Sequence, residues 1–416
     1  MKSYVVSGPT PLHGDVHISG AKNAALKIMA ASLLAKGEVT LTRVPRITDV
    51  YLMSEVLTRL GASVTHEGDT LTIDASGELS DETPYDLVTR MRASIQVLGP
   101  LLARLGRARV AMPGGDAIGS RPIDLHLGGL ERMGAKFTSE HGFIEGVAER
   151  LQGTRVLLDF PSVGATENLL MAAVLAEGTT SVENAAREPE IQDLADFLNR
   201  CGARIRGAGT PSITIDGVAE LHPCSHEIIP DRIEAGTFAI GAAATRGDVT
   251  LKDLRNDHVE LLGLKLEEAG AEVTRSDGQM RVRMSRRPRP LDLVTLPYPG
   301  FATDMQPLMM VLLAQAQGSS ILTENVFEAR FLFVDELNRM GCRIRVEGHH
   351  AVIRGVEQLS GAPVRAPDIR AGAALVISGL CAQGETRVYE VDHILRGYED
   401  FDRKLTALGA EIRVES

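Results

Sequence analysis

The chain has 416 residues, 44% of them hydrophobic and 41 of them glycine, which suits two or three packed domains rather than one core. A formal net charge of −11 with scattered basic residues argues against nucleic acid as the main partner, and the absence of tryptophan removes any indole stacking platform. No apolar run reaches membrane length, the first residues carry no leader-like stretch, and the four cysteines (Cys201, Cys224, Cys342, Cys381) form no CxxC pair, so no disulfide framework or zinc ribbon and a reducing cytoplasm are expected.

Taken in chain order, residues 1 to about 21 read as an N-terminal strand segment. Then one pattern recurs six times. An apolar helical run ends in glycine and a short polar–apolar alternation follows. After a loop, an amphipathic helix ends in a Gly-Ala-like turn, and a hairpin closes the unit. The first copy reads Ala-Ala-Ser-Leu-Leu-Ala-Lys-Gly37, Glu-Val-Thr-Leu, then Leu-Gly61-Ala. The third ends its helices at Gly178 and Gly202, the sixth at Gly384 and Gly409. The first glycines are Gly37, Gly106, Gly178, Gly247, Gly318 and Gly384; the second are Gly61, Gly134, Gly202, Gly270, Gly341 and Gly409. The two lie 23 to 28 residues apart within a copy, and copies follow every 66 to 73 residues. Glycine after a helix is the expected left-handed closing residue. Leu194, Phe197 and Leu198 mark the buried face of the third amphipathic helix, and Leu261, Leu264 and Leu266 that of the fourth.

Each unit therefore reads as βαβαββ. A unit of ~70 residues buries little alone. The expected architecture is α/β: two domains of three units each, residues 22–229 and residues 1–21 plus 230–416, with a cleft between them where ligands bind. The segment Glu227–Asp231 is the expected crossover. A repeat-built scaffold without chemistry is the competing reading of the architecture.

Four segments point to chemistry. Gly20-Ala21-Lys22-Asn23 opens an apolar helix, and a helix N-terminus beside a lysine is an anion site, although an ordinary exposed lysine is the plainer reading of that pair. Pro113-Gly-Gly-Asp116-Ala-Ile-Gly119-Ser-Arg121 is a glycine-rich loop suited to a lid, carrying one acid and one cation. Asp304, in Phe-Ala-Thr-Asp-Met-Gln, starts an apolar helix, where it would also serve as a favourable first-turn charge. Arg330, Arg370 and Arg396 stand singly among small or aromatic residues, which suits bidentate recognition of carboxylate or phosphate. Several arginines, a lysine and two acids on repeat loops fit a doubly anionic small substrate.

At these residues the chain resembles a known family. Gly-Ala-Lys22-Asn-Ala-Ala-Leu, Met-Arg92-Ala-Ser, Gly-Gly-x-x-Ile-Gly-x-Arg121-Pro-x-Asp-Leu-His, Ser162-Val-Gly-Ala-Thr, Asn184-Ala-Ala-Arg-Glu-Pro-Glu-Ile, Pro230-Asp-Arg-Ile-Glu-Ala-Gly-Thr, Thr303-Asp-Met-Gln and Arg396-Gly-Tyr-Glu look like the signature of the UDP-N-acetylglucosamine 1-carboxyvinyltransferases, in family order and over almost the whole chain. The resemblance implies two inside-out α/β domains. It implies transfer of the enolpyruvyl group of phosphoenolpyruvate to the 3-hydroxyl of UDP-N-acetylglucosamine, with loss of phosphate, as the committed step of peptidoglycan synthesis.

By family pattern Asp116 stands at the proton donor's position and Asp304 at the base's. Lys22, Arg121 and Arg396 would hold phosphate, Arg370 and Arg396 the carboxylate, and Asn23 would contact the tetrahedral centre. Arg92, Arg121, Pro122, Ile123, Asp124, Leu125, Ser162, Val163, Gly164, Asp304, Val326 and Arg330 would line the substrate site. No metal and no organic cofactor is implied. The competing acceptor would be another nucleotide or sugar, taken by a paralogous enolpyruvyl transferase.

The chain departs from the pattern at residue 116, where many relatives carry cysteine. That thiol is the one fosfomycin alkylates, and a carboxyl group is a far weaker nucleophile towards an epoxide, so insensitivity to the drug is expected. Phe160 and Gln96 also differ from the Lys and Trp of some relatives, and both are expected to act on nucleotide affinity.

Overall fold

Six apolar segments form helices that have no polar face to offer water, so they can only be interior. In the computed structural model, which describes residues 2–114, 118–119 and 122–415, Ile369–Cys381 is buried at every position, and Arg232–Ala244 at every position but the first. Lys22–Ala31, Leu98–Leu105, Val163–Ala173 and Gln306–Leu313 complete the set. Small residues let their backbones come close. A β-carbon on Gly99 would lie 2.5 Å from the Asn168 carbonyl oxygen, where the second of these helices meets the third.

Each interior helix is followed by a sheet packed by one face. In the first repeat, Glu38–Thr42 pairs antiparallel with Thr70–Asp74, which forms a hairpin with Ser63–Glu67, and Ser225–Glu227 adds a parallel strand on the other side. The third, fourth and fifth repeats build the same four-stranded order. The second has three strands, with a single parallel bridge from Glu82 to Arg109 at the fourth place. The sixth is assembled differently. Ser3–Gly8 lies between Ala382–Tyr389 and Glu411–Glu415, antiparallel to both, so the N-terminal strand takes the place that a hairpin strand takes elsewhere. His13–His17 supplies the parallel strand of the fourth repeat. This is the mixed α/β repeat architecture expected from the glycine spacing.

The chain divides into two compact units, residues 20–114 with 122–229, and residues 2–19, 118–119 and 230–415. Each has its own hydrophobic core. The backbone passes between them at Ser19–Gly20, on either side of residues 118–119, and at Ile229–Pro230.

Eleven of the twelve repeat glycines have positive φ. Gly247 is the exception. The left-handed place falls one residue earlier, on Arg246 (φ 57°). Gly247 is required by space instead, because a β-carbon there would stand 2.0 Å from the carbonyl oxygen of Leu12 in the N-terminal segment. One expectation is corrected. In the helix Glu260–Ala269 the buried face is Leu262, Leu266 and Ala269, while Leu264 is 51% exposed and Leu261 half-buried. Spacing of i, i+4, i+7 from Leu262 puts Leu264 about 200° round the helix from it. Among the described residues, no helix is long and apolar enough to cross a membrane.

Candidate active site

The polar residues singled out above stand mainly at the N-terminal ends of the interior helices, where unpaired N–H groups point outward and the helix dipole favours anions. In the second unit three such ends meet. Asp368 caps Ile369–Cys381, its Oδ1 accepting from the N–H groups of Arg370 (2.8 Å) and Ala371 (2.9 Å). Asp231 caps Arg232–Ala244 in the same way. The third end is the turn Thr303–Met305, which leads into Gln306–Leu313 and carries Asp304.

Asp304 is held from both sides. Arg330 Nη2 donates to Oδ1 over 2.8 Å and Arg370 Nη2 to Oδ2 over 3.4 Å. Burial works to raise the pKa of this carboxyl group, but Arg370, Arg330 and Arg232 outweigh it and hold it well below the usual carboxylate range. Both guanidinium groups are buried, with exposures of 3% for Arg330 and 5% for Arg370. Arg370 also lies over the ring of Tyr398 (5.1 Å), whose hydroxyl meets Thr237 Oγ1 at 2.8 Å. Arg330 Nε and Arg370 Nη1 find no acceptor among the described residues. Buried guanidinium donors left unused are what a bound anion would engage.

Arg370 Nη1 comes near Gly397, the residue after Arg396. Arg396 itself closes the short helix Asp392–Leu395 and is half-buried. Val326 belongs to the same unit. Its N–H, like that of Phe327, donates to Glu324 Oε1, and Glu324 Oε2 accepts from Thr303 Oγ1, so the Val326 turn is tied to the residue before Asp304.

In the first unit Lys22 is the first residue of its helix and only 7% exposed. Its Nζ forms an ion pair of 2.8 Å with Asp49, which is almost fully buried in the first turn of Thr48–Arg59. Asn23 follows, half-buried, its carbonyl accepting from Lys27 Nζ. Ser162 caps Val163–Ala173, accepting from the Ala165 N–H.

A side chain on Gly164 in that first turn would press on its neighbours. A β-carbon would lie 3.1 Å from His126 and 3.2 Å from Gln96. Asn168 fixes both neighbours' surroundings. Its Oδ1 accepts from Gly99 N–H, while its Nδ2 donates to the Ile95 carbonyl and to His126 Nδ1. His126 therefore carries its proton on Nε2. Burial, with the nearby charge of Arg92, pushes its imidazole down to about 4, so the ring is neutral at pH 7. Arg92 opens the turn Arg92–Val97 and is half-buried. Gln96 is buried, donating to Gly164 O and to Glu167 Oε2, and so is spent on packing. Phe160 is exposed.

Asp116 and Arg121 lie outside the described residues. Next to them, Pro122 and Asp124 are exposed, Leu125 half-buried and Ile123 buried, at the start of Asp124–Arg132. Five residues of these surroundings were given no role by sequence: Asp49, His126, Asn168, Glu167 and Tyr398, although His126 and Tyr398 stand within the quoted motifs. The four on buried faces of helices (Asp49, His126, Glu167 and Asn168) have one legible signal, a polar residue interrupting an apolar stripe. Among the described residues, no group of three or more His, Cys, Asp or Glu is placed to hold a metal ion.

A family model described as EPSP synthase (3-phosphoshikimate 1-carboxyvinyltransferase) matches residues 6–405. The UDP-N-acetylglucosamine 1-carboxyvinyltransferase 2 of Carboxydothermus hydrogenoformans is 58% identical over 414 residues, 99% of each chain. The UDP-N-acetylglucosamine 1-carboxyvinyltransferase of Mycobacterium bovis is 53% identical over 409 residues, 98% of each. The enolpyruvyl transferase NikO from Streptomyces tendae has a TM-score of 0.90 at 27% identity, over 99% of this chain and 98% of that one. EPSP synthase from Acinetobacter baumannii shares the fold over the full length of both chains, with a TM-score of 0.78 at 20% identity.

Proposed function

This chain belongs to the EPSP synthase family of carboxyvinyl (enolpyruvyl) transferases and is an enzyme of that class, and from this premise we propose that it transfers the enolpyruvyl group of phosphoenolpyruvate to the 3-hydroxyl of UDP-N-acetylglucosamine, in the cytoplasm, as the committed step of peptidoglycan synthesis. The observation that carries this reading is the identity of 58% over 99% of both chains to an enzyme of that name. NikO, at 27% identity, is the more distant relative, so another acceptor is the second reading.

In this reading the methylene carbon of phosphoenolpyruvate takes a proton while the sugar oxygen bonds to the neighbouring carbon. The tetrahedral ketal then loses phosphate and a methyl proton to restore the vinyl group. The reaction needs an acid, a base and cations that follow the moving charge. Asp116 is assigned as the acid. Asp304 is assigned as the base for the sugar hydroxyl. Lys22, Arg121 and Arg396 hold phosphate, Arg370 and Arg396 the carboxylate, and Asn23 the tetrahedral centre. Arg92, Pro122, Ile123, Asp124, Leu125, Ser162, Val163, Gly164, Val326 and Arg330 line the nucleotide-sugar side.

The surroundings of Asp304 support its role in a specific way. With two guanidinium groups on it, the carboxylate is a weak base. A substrate carboxylate that engages the unused Nη1 of Arg370 competes for the same cation, and loss of the longer contact (3.4 Å) raises the basicity of Asp304. In this reading the base for the sugar hydroxyl is switched on by the other substrate, phosphoenolpyruvate.

Aspartate at 116 is proposed to keep the proton transfer and to remove the nucleophile that fosfomycin alkylates. The deciding experiment measures phosphate release from phosphoenolpyruvate with and without UDP-N-acetylglucosamine, and with a panel of other nucleotide sugars. Release that requires UDP-N-acetylglucosamine is expected. Release that requires a different acceptor would replace this reading by the second one.

A further inference from the structure

Two cysteines that are 23 residues apart in sequence meet in the first unit. Cys201 ends the helix Pro189–Arg200, and the chain returns after a hairpin at His222, whose N–H donates to the Cys201 carbonyl over 2.8 Å. Cys224 follows, its carbonyl accepting from Thr40 N–H at the start of the strand Ser225–Glu227. With both backbones pinned, the two Sγ atoms stand 3.1 Å apart. A disulfide needs about 2.05 Å, so closure asks for a movement of about 1 Å. Cys201 is fully buried and Cys224 half-buried, so one thiol can meet solvent while the other waits behind it.

We propose that Cys201 and Cys224 are a reversible redox pair, which a peroxide converts to a disulfide that staples the crossover segment to the end of the helix Pro189–Arg200.

The surroundings favour the order of events. The Cys201 thiol donating to it, with His226 and Arg200 beside it, pulls Cys224 below the ordinary thiol range, while the same contact and burial push Cys201 above it. The Cys224 thiolate attacks the peroxide, the O–O bond breaks, and a sulfenic acid and hydroxide result. Cys201 Sγ then attacks the sulfenic sulfur, its proton leaves with the hydroxyl as water, and the S–S bond forms. The two sulfurs lose two electrons in all and the peroxide becomes two waters, the hydroxide taking up the proton that Cys224 gave on ionising.

The consequence reaches the start of the chain's first helix. His226 Nε2 meets Asp193 Oδ1 at 2.8 Å, Asp193 Oδ2 accepts from Ile229 N–H, and the Ile229 carbonyl accepts from Ala21 N–H at 2.7 Å, one residue before Lys22. The staple fixes the segment that carries this anchor. Cys342 and Cys381 are the internal control, because burial pushes both thiols up to about 12 and leaves them protonated and slow.

The test treats the native full-length protein with hydrogen peroxide and maps its cysteines by mass spectrometry. The expected product is one linked peptide pair containing Cys201 and Cys224, lighter by two hydrogens, restored by dithiothreitol and melting at a higher temperature than the reduced protein. C201S and C224S abolish the link, and C342S leaves it. Oxidation of Cys224 to sulfinic acid without a link in the wild type overturns the proposal, whatever the folding of the variants. So does a link that forms equally fast in urea, since native geometry would then play no part.

Discussion

Arg330 donates through Nη2 to Asp304 Oδ1 over 2.8 Å from a side chain that is itself almost entirely buried. Neither group is at rest alone. Removing either leaves the other charge partly desolvated, which costs more than the pair contributes in excess over a neutral core. The second contact, from Arg370, is longer by 0.6 Å (3.4 against 2.8), so Arg330 holds the carboxylate more closely.

Replacing Arg330 by methionine therefore lowers stability by about 2 kcal/mol at neutral pH, the range for losing a charged hydrogen bond. The sign follows from the depressed pKa of Asp304. A carboxyl group whose folded value lies below its unfolded one contributes stability that is present above about pH 3.9 and is lost as pH falls through the folded value. The difference between wild type and R330M should be constant from pH 6 to 8 and shrink below about pH 4. Urea titrations across that range measure it, and a pH-independent difference would mean that Arg330 acts by packing alone.

The ion pair of Lys22 with Asp49 makes a second prediction. Both side chains are buried, at 9% and 2% exposure, so Asp49→Asn leaves an ammonium without its carboxylate and costs roughly 3 kcal/mol. If the helix start at Lys22 takes phosphate, inorganic phosphate should restore part of the lost melting temperature in D49N, and more than it raises that of the wild type. Equal shifts in the two proteins would remove Lys22 from the anion site.

How much of this was legible in the sequence differs from feature to feature. The repeats were visible because a left-handed helix end admits few residues other than glycine, and eleven such ends recur. The place of the N-terminal strand in the sixth sheet was not, since Ser3–Gly8 pairs with residues nearly 400 positions away. Arg330, Arg370 and Asp304 each stood out against apolar surroundings, yet their mutual grip joins residues 26 and 66 positions apart. Asp49 was given no role by sequence, and its burial beside Lys22 comes from the packing of two helices. Cys201 and Cys224 share no motif, because hydrogen bonds of the returning chain set their distance.

Glu167 shows the opposite sign from Asp304. Burial, against the pull of Lys27 and with Glu190 and Glu188 adding, pushes its carboxyl up to about 8. The folded protein holds a proton there that the unfolded chain releases above about pH 4.3. Stability therefore falls as pH rises from that value to about 8, where the folded group itself ionises. Glu167→Gln keeps the amide contact to Gln96 possible and removes the titration. E167Q should match the wild type near pH 5 and exceed it by on the order of 3 kcal/mol at pH 9. A parallel pH dependence in the two proteins would show that Glu167 stays ionised beside Lys27.

The aspartate at position 116 carries the prediction with the widest consequence. Fosfomycin alkylates by epoxide opening, which a thiolate performs readily and a carboxylate hardly at all. The wild type should keep its turnover after preincubation with the drug, and Asp116→Cys should lose it with time. The proposed acid role gives a second readout. An ordinary aspartic acid is ~99.9% ionised at pH 7, so as a proton donor Asp116 makes activity rise towards acid pH. Asp116→Cys, with an ordinary thiol pKa of about 8.5, should move that rise towards neutral or alkaline pH. A D116C protein that stays inert to fosfomycin while its turnover persists would place the proton donor elsewhere on the chain.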